Sequence, residues 1–120
     1  MRRALVIGGS IGGLFAANAL RKIGWDVTVF ERVGDDLASR GAGIGTHDEL
    51  RAVIRRLGLP VDDTIGVWVH GRICLERDGR ISRRLDTSQM QSSWARIYRL
   101  LKDGFPAANY RFGMALERVE

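Results

Sequence analysis

The chain has 120 residues, of which 45% are hydrophobic and 28% charged, a composition that excludes a disordered chain and allows one folded domain or part of one. The net charge of +5 comes without the motif of any nucleic-acid-binding module, so we expect no nucleic-acid partner. No run is long and apolar enough to cross a membrane, so we expect no membrane association. The single Cys74 excludes an intrachain disulfide and fits a cytoplasmic location, and no paired cysteine or histidine spacing offers a metal site.

The first 31 residues have the pattern of a strand, a glycine-rich turn, a helix and a second strand. The apolar run "ALVIG", which begins at Ala4, predicts a strand buried on both faces, as in a parallel sheet. The helix after the turn carries mostly small and apolar residues and stops at Gly24, and the next strand runs from Val27 to Phe30. This βαβ unit predicts an α/β, Rossmann-type fold with a parallel sheet.

A second helix and a β-hairpin follow. Thr46 and Glu49 have the spacing of a capping box, and the apolar periodicity after them predicts an amphipathic helix that ends at Gly58. The segment "VWVHGRICLERDGRIS" predicts an inserted hairpin with Asp78 and Gly79 at its turn.

The last part of the sequence predicts a third helix and then one or two strands, which begin in "YRFGMALERVE". The apolar stripe of that helix consists of Trp94, Ile97, Tyr98 and Leu101. Side chains at this spacing favour core packing over stacking on a cofactor. Cys74, between two apolar neighbours in the hairpin, is expected to be half buried.

The turn after the first strand reads Gly8-Gly9-Ser10-Ile11-Gly12-Gly13, a near match to the phosphate-binding pattern G-x-G-x-x-G. Gly8 permits a tight turn, Gly13 lets helix and strand pack closely, and the N-terminus of the helix offers free N–H groups and a partial positive charge. Ser10 replaces the middle glycine. Its side chain can either block a pyrophosphate or donate a hydrogen bond to it.

Glu31 strengthens the dinucleotide interpretation. It ends the second strand about 20 residues after the turn, where an acidic residue can accept hydrogen bonds from an adenosine ribose. The alternative is that Glu31 only ends a strand at the surface. The turn, the helix and the acid together favour cofactor binding.

The same residues also spell Gly-x-Ser-x-Gly, the pattern of a nucleophile elbow. An elbow serine needs a later acid and histidine, and His70 would have to be that histidine. His70 falls in a predicted hairpin strand, and the elbow gives Glu31 no role. The pattern therefore disfavours acyl transfer, and we expect His47 and His70 to be surface or turn residues.

The segment "VIGGSIGGLFAANALRKIGWDVTVFER", followed by "RGAGIG", resembles the start of the class A flavin-dependent aromatic hydroxylases. Its Gly-Gly-Ser variant is similar to the branch that contains 2,6-dihydroxypyridine hydroxylase, and so is the later "SSWARIYRLLKDGFPAANYRFGMALERVE". The resemblance implies a flavoprotein monooxygenase in which FAD is transiently reduced by NAD(P)H and uses O2 to hydroxylate an aromatic or N-heteroaromatic ring.

The resemblance also implies where FAD would bind. Gly8, Ser10, Ile11 and Gly12 would hold the pyrophosphate, Glu31 the ribose, Arg32 would lie beside the adenosine, Arg40 near the flavin, and Leu116 beside the adenine. No catalytic residue is implied.

Residues 1–120 would then be the N-terminal part of an FAD-binding domain, without the substrate domain and the later FAD motifs of the family. We therefore expect a truncated chain that is inactive alone. Two alternatives remain open. The chain could be an NAD(P)-binding Rossmann module of a dehydrogenase or reductase, or a non-catalytic folded remnant that self-associates through unpaired strands.

Overall fold

A computed structural model describes residues 1–39 and 41–120 as strands and helices around one hydrophobic core. In this part of the chain the strands are β1 (Arg3–Ile7), β2 (Asp26–Phe30), β3 (Gly43–Thr46), β4 (Val67–Val69), β5 (Arg72–Leu75), β6 (Ile81–Leu85), β7 (Gln89–Ser93) and β8 (Tyr110–Arg111). The α-helices are α1 (Ile11–Lys22), α2 (Asp48–Arg56) and α3 (Trp94–Asp103). Short 3-10 turns lie at Leu37–Ser39, Asp63–Ile65 and Ala107–Asn109.

The parallel sheet has the strand order β1-β2-β8. β1 and β2 pair along their whole length, and Tyr110 of β8 lies opposite Val29 of β2. Helix α1 connects β1 to β2 and covers one face of the sheet, where Val27 and Val29 are buried in the same core as Leu14 and Ala17 of the helix. The predicted βαβ unit and α/β fold class are confirmed.

β1 is less buried than its sequence predicts, and the prediction of burial on both faces is wrong. Leu5 and Ile7 are 63% and 50% exposed, whereas the alternating Ala4 and Val6 pack against the core. The reason is that α1 covers one face of the sheet in the described part of the chain and leaves the other face open. β1 is also an edge strand there, since its pairing in that part of the chain is with β2.

β3, β7 and β4 form an antiparallel sheet, and β5 and β6 form a separate hairpin whose turn places Gly79 at φ +85°. The predicted hairpin is confirmed for residues 72–85, but Val67–Val69 pairs with β7 instead of joining it. Cys74 is exposed and not half buried as predicted. β5 and β6 pair mainly with each other, so Ile73 and Leu75 are exposed as well.

The predicted start of α2 is wrong by one residue. Thr46 ends β3, where its hydroxyl lies 2.8 Å from Ser92 Oγ of β7 and is almost fully buried. Because the strand pair holds Thr46, the next residue becomes the cap: His47 Nδ1 accepts a hydrogen bond from the Leu50 N–H at 3.3 Å. His47 also contacts Glu49 at 3.0 Å, which confirms a surface role for this histidine.

The predicted apolar stripe of α3 is confirmed, with Ile97, Tyr98 and Leu101 fully buried. Asn18 joins α1 to this helix from within the core. Its Nδ2 donates to the Leu14 carbonyl at 2.9 Å and to the Leu101 carbonyl at 3.0 Å. A polar side chain on the buried face of α1 therefore satisfies a carbonyl near the C-terminal end of the neighbouring helix.

The final segment is extended for less of its length than predicted, because β8 contains only Tyr110 and Arg111. Backbone bonds nevertheless continue beside the end of β2. The Gly113 N–H donates to the Val33 carbonyl at 3.0 Å, and the Met114 N–H donates to the Glu31 carbonyl at 2.9 Å. No helix among the described residues combines the length and apolar character needed to cross a membrane.

The close packing of α1 on β1 generates a first prediction. Replacement of Gly13 by alanine should lower the free energy of unfolding by about 2–3 kcal/mol, because the new Cβ would overlap the Gly8 carbonyl oxygen. A backbone atom cannot rotate away as a flexible side chain can. Chemical denaturation followed by circular dichroism measures the change.

Gly12→Ala is the matched control, since a Cβ at Gly12 would have no neighbouring atom within 4 Å. We expect this variant to unfold at the same denaturant concentration as the wild type or at a slightly higher one. Equal losses of stability in the two variants would contradict the close contact between Gly8 and Gly13.

Candidate dinucleotide site

The turn between β1 and α1 is fixed by backbone contacts to β2. Gly8 adopts φ +97°, a conformation that favours glycine, and its N–H donates to the Phe30 carbonyl at 2.8 Å. At the other end of the turn, Gly13 approaches the Gly8 carbonyl so closely that it has no room for a side chain. Both glycines therefore have the roles that the sequence predicted for them.

The N-terminus of α1 is open. Ser10 is the N-cap residue, with φ −75° and ψ −176°, and its exposed side chain makes no capping hydrogen bond. The helical bonds begin with the Leu14 N–H, which donates to the Ser10 carbonyl at 2.9 Å, and the first turn contains no acidic residue. The N–H groups before Leu14 thus lie in the position that binds anions at helix termini.

The conformation of Ser10 also bears on the nucleophile-elbow alternative. An elbow serine lies on a strained turn, but the φ of Ser10 is in the ordinary extended range. His70 lies between β4 and β5, and its Nδ1 is 3.2 Å from Ser88 Oγ. These residues do not form an elbow.

Glu31 lies just after β2 and is only 6% exposed. Its Oε2 accepts a hydrogen bond from the Gly9 N–H at 2.8 Å, and its Oε1 accepts one from the Val33 N–H at 2.9 Å. The carboxylate therefore links the end of β2 to the glycine-rich turn. The sequence identified Glu31 as an acid near the site, but it did not reveal this link to Gly9.

A cleft of about 430 Å³ lies where the turn, the end of β2 and the final segment meet. Its lining residues are Ile7, Gly8, Phe30, Glu31, Arg32, Met114, Ala115 and Leu116. The structure thus brings together four of the predicted site residues, Gly8, Glu31, Arg32 and Leu116.

Three other predicted residues lie outside this cleft. Ser10, Ile11 and Gly12 form the cap and first residues of α1, next to the cleft along the chain. Ser10 and Gly12 are exposed and Ile11 is partly buried. Arg40, the residue expected near the flavin, lies outside the described residues.

The segment after Arg40 packs against the start of α3. Gly41 has φ +93°, and a Cβ there would lie 2.6 Å from Trp94 Cγ. The Trp94 N–H donates to the Ala42 carbonyl at 2.9 Å, and the indole stacks on the Tyr98 ring with centroids 5.0 Å apart. Gly41, the first glycine of "RGAGIG", is therefore needed for contact with α3. Trp94 packs on a core tyrosine as the sequence predicts.

Sequence reasoning missed Tyr110 as a site residue. Its hydroxyl donates to the Gly9 carbonyl at 2.7 Å, and burial raises the pKa of this phenol above its ordinary value. A Cβ at Gly9 would overlap that hydroxyl. The signal in the sequence is the second glycine of "GGS", at a position that the phosphate-binding pattern leaves free.

Comparison with known proteins matches the part of the chain that contains the glycine-rich turn. A family model described as an NAD(P)-binding Rossmann-like domain matches residues 6–52. Among curated proteins, 2-heptyl-3-hydroxy-4(1H)-quinolone synthase of Mycobacteroides abscessus is 37% identical over 109 residues, which are 83% of this chain and 26% of the relative.

Two solved structures share the fold. That of 2,6-dihydroxypyridine-3-hydroxylase from Arthrobacter nicotinovorans has a TM-score of 0.80 and 31% identity, over 93% of this chain and 28% of that one. That of Klebsiella pneumoniae HpxO complexed with FAD and uric acid has a TM-score of 0.70 and 25% identity, over 93% of this chain and 31% of that one.

The chain thus spans between 26% and 31% of the length of these three proteins. Their similarity extends over 83% to 93% of this chain, and the range matched by the family model, residues 6–52, contains the turn, α1 and Glu31. The predicted resemblance is confirmed: over the part that it spans, this chain is similar in sequence and fold to FAD-dependent monooxygenases, 2,6-dihydroxypyridine hydroxylase among them.

Proposed function

We propose that this chain is the FAD-binding segment of a flavin-dependent monooxygenase that hydroxylates an aromatic or N-heteroaromatic ring with NAD(P)H and O2, and that its described residues contact the ADP half of FAD. The observation that carries the proposal is the position of the open N-terminus of α1 beside a cleft lined by Gly8 and Glu31. The similarity to a structure described as complexed with FAD supports it.

The diphosphate fits the start of α1. The first turn offers N–H groups and the positive end of the helix dipole, and it has no acidic side chain that would repel a phosphate. Ser10 is exposed and makes no capping hydrogen bond, so its hydroxyl can donate to a phosphate oxygen. Gly12 has open space where a side chain would project, which allows the ligand to approach the backbone.

The adenosine fits the cleft. Each carboxylate oxygen of Glu31 already accepts one backbone hydrogen bond, and each can accept a further one from a ribose hydroxyl. Arg32 would lie beside the adenosine, and the half-exposed Leu116 would offer an apolar contact to the adenine. We propose that Arg40 lies toward the flavin end.

When bound, the flavin supplies the redox chemistry, while the protein binds and orients it. The residues proposed here bind and orient the cofactor, and none of them is proposed to transfer a proton. We propose that residues 1–120 are part of one FAD-binding domain. A cytoplasmic location and self-association through unpaired strands remain predictions.

A second candidate is an NAD(P)-binding module. The description of the family model that matches residues 6–52 favours it. FAD, NAD⁺ and ADP share the adenosine diphosphate, so the flavin end of the ligand must distinguish the two functions.

Titration of the purified chain with FAD, ADP and NAD⁺ tests the proposal. We expect FAD to bind at least about tenfold tighter than ADP or NAD⁺, because only FAD adds contacts from the flavin end to those of the diphosphate. Flavin fluorescence reports FAD binding, and calorimetry reports all three ligands.

The other results have distinct meanings. Equal affinity for FAD, ADP and NAD⁺ would contradict recognition of the flavin, and tighter binding of NAD⁺ would support the NAD(P)-binding module. An absence of binding by all three ligands would contradict the proposal and favour a non-catalytic remnant.

A charge substitution at Ser10 tests the position of the diphosphate. Asp and Asn are comparable N-cap residues, so Ser10→Asp and Ser10→Asn should form α1 equally well. Only the aspartate repels a phosphate, and we expect it to weaken ADP and FAD binding at least about tenfold relative to the asparagine variant.

Adenosine is the control ligand for this pair of variants, because it has no phosphate. Its affinity should be equal in the two variants, and the difference for ADP should shrink as salt is added. Equal ADP affinity in the two variants at low salt would show that the diphosphate binds elsewhere.

A further inference from the structure

The two peptide groups that flank Gly9 are held from opposite sides by buried side chains. The Gly9 N–H donates to Glu31 Oε2 at 2.8 Å, and the Gly9 carbonyl accepts from the Tyr110 hydroxyl at 2.7 Å. Gly9 itself is buried, whereas the following Ser10 is exposed. The residue before the open helix end is therefore fixed to the core.

The Tyr110 contact sets the direction of an amide. The Gly9 carbonyl and the Ser10 N–H belong to one planar trans peptide group, in which the two bonds point in opposite directions. Because Tyr110 holds the carbonyl toward the core, the Ser10 N–H points away from it. This places that N–H on the solvent side, next to the open N-terminus of α1.

We propose that Tyr110 is a positioning residue, whose hydroxyl holds the glycine-rich turn so that the Ser10 amide is directed at the diphosphate before the ligand binds. The inference rests on the proposed function. Tyr110 does not touch the cofactor in this account, and it acts through the peptide group between Gly9 and Ser10.

Several contacts hold Tyr110 in place. It is 6% exposed, pairs with Val29 across the sheet, and packs on Phe112 with ring centroids 4.7 Å apart. The Lys102 ammonium lies 5.7 Å from the centre of its ring and also binds Asp36 at 3.1 Å. A phenol is protonated at neutral pH, and burial raises the pKa of this one further, so its hydroxyl remains a donor.

Glycine at position 9 is a requirement of this contact. The φ of Gly9 is not in the left-handed region, so lack of space for a side chain, and not backbone strain, explains why a glycine is required here. A side chain there would overlap the Tyr110 hydroxyl and prevent it from reaching the carbonyl. Gly9 and Tyr110 are therefore matched, although they are 101 residues apart in the sequence.

The test compares Tyr110→Phe with Tyr98→Phe. Phenylalanine keeps the ring but removes the hydroxyl, so the Gly9 peptide loses its partner and can rotate toward water. We expect Tyr110→Phe to weaken ADP and FAD binding about tenfold while adenosine affinity stays unchanged. A general loss of structure would lower the affinity for all three ligands.

Tyr98→Phe is the matched control, because Tyr98 is also buried and its hydroxyl, which lies 3.5 Å from both the Tyr110 hydroxyl and the Leu37 N–H, makes no bond to the turn. We expect its ADP, FAD and adenosine affinities to equal those of the wild type. If the wild type binds FAD and Tyr110→Phe binds ADP and FAD as tightly as the wild type does, this inference is wrong and the proposed function stands. If the wild type binds neither ADP nor FAD, both are wrong.

Amide hydrogen exchange in the wild type gives a second measurement that does not require a folded variant. The Gly9 amide, which is bonded to Glu31, reports whether the turn is held, and it should be protected before ADP is added. The Ser10 amide, in the peptide group that Tyr110 holds, should gain protection only when ADP binds. Protection of the Gly9 amide that appears only with ADP would show that the turn is not held in advance, and would overturn the inference.

Discussion

The bond between the Glu31 carboxylate and the Gly9 N–H is the constraint on which the rest of this structure depends. It joins the end of β2 to the turn between β1 and α1, and both groups are buried. A buried carboxylate needs hydrogen-bond partners, and the Gly9 and Val33 amides supply them. The same contact closes the βαβ unit and brings an acid to the candidate site.

This arrangement connects fold stability with ligand binding. The glycine-rich turn packs closely on β1, approaches Tyr110 and leaves the first amides of α1 open. Gly8, Gly9 and Gly13 allow this arrangement. Each glycine is required for a different reason: Gly8 has a left-handed φ, Gly9 leaves space for the Tyr110 hydroxyl, and Gly13 contacts the Gly8 carbonyl. The open amides are then what remains for a ligand.

Local patterns in the sequence predict the βαβ unit, the third helix and the Asp78–Gly79 turn, because short-range spacing determines them. Contacts between distant residues could not be predicted in this way. The bond from Thr46 to Ser92 moves the start of α2 by one residue, and the bond from Tyr110 to Gly9 spans 101 residues. The apolar run of β1 does not report how many of its faces are covered, so the exposure of Leu5 was not predicted either.

The central claim is that the first amides of α1 receive the diphosphate of the cofactor. Amide chemical shifts measured by NMR with ADP, minus those measured with adenosine, test it most directly. The account predicts that the largest differences fall on residues 10–13. Largest differences elsewhere, for example along residues 46–49 and 87–90 that line another cleft, would contradict it.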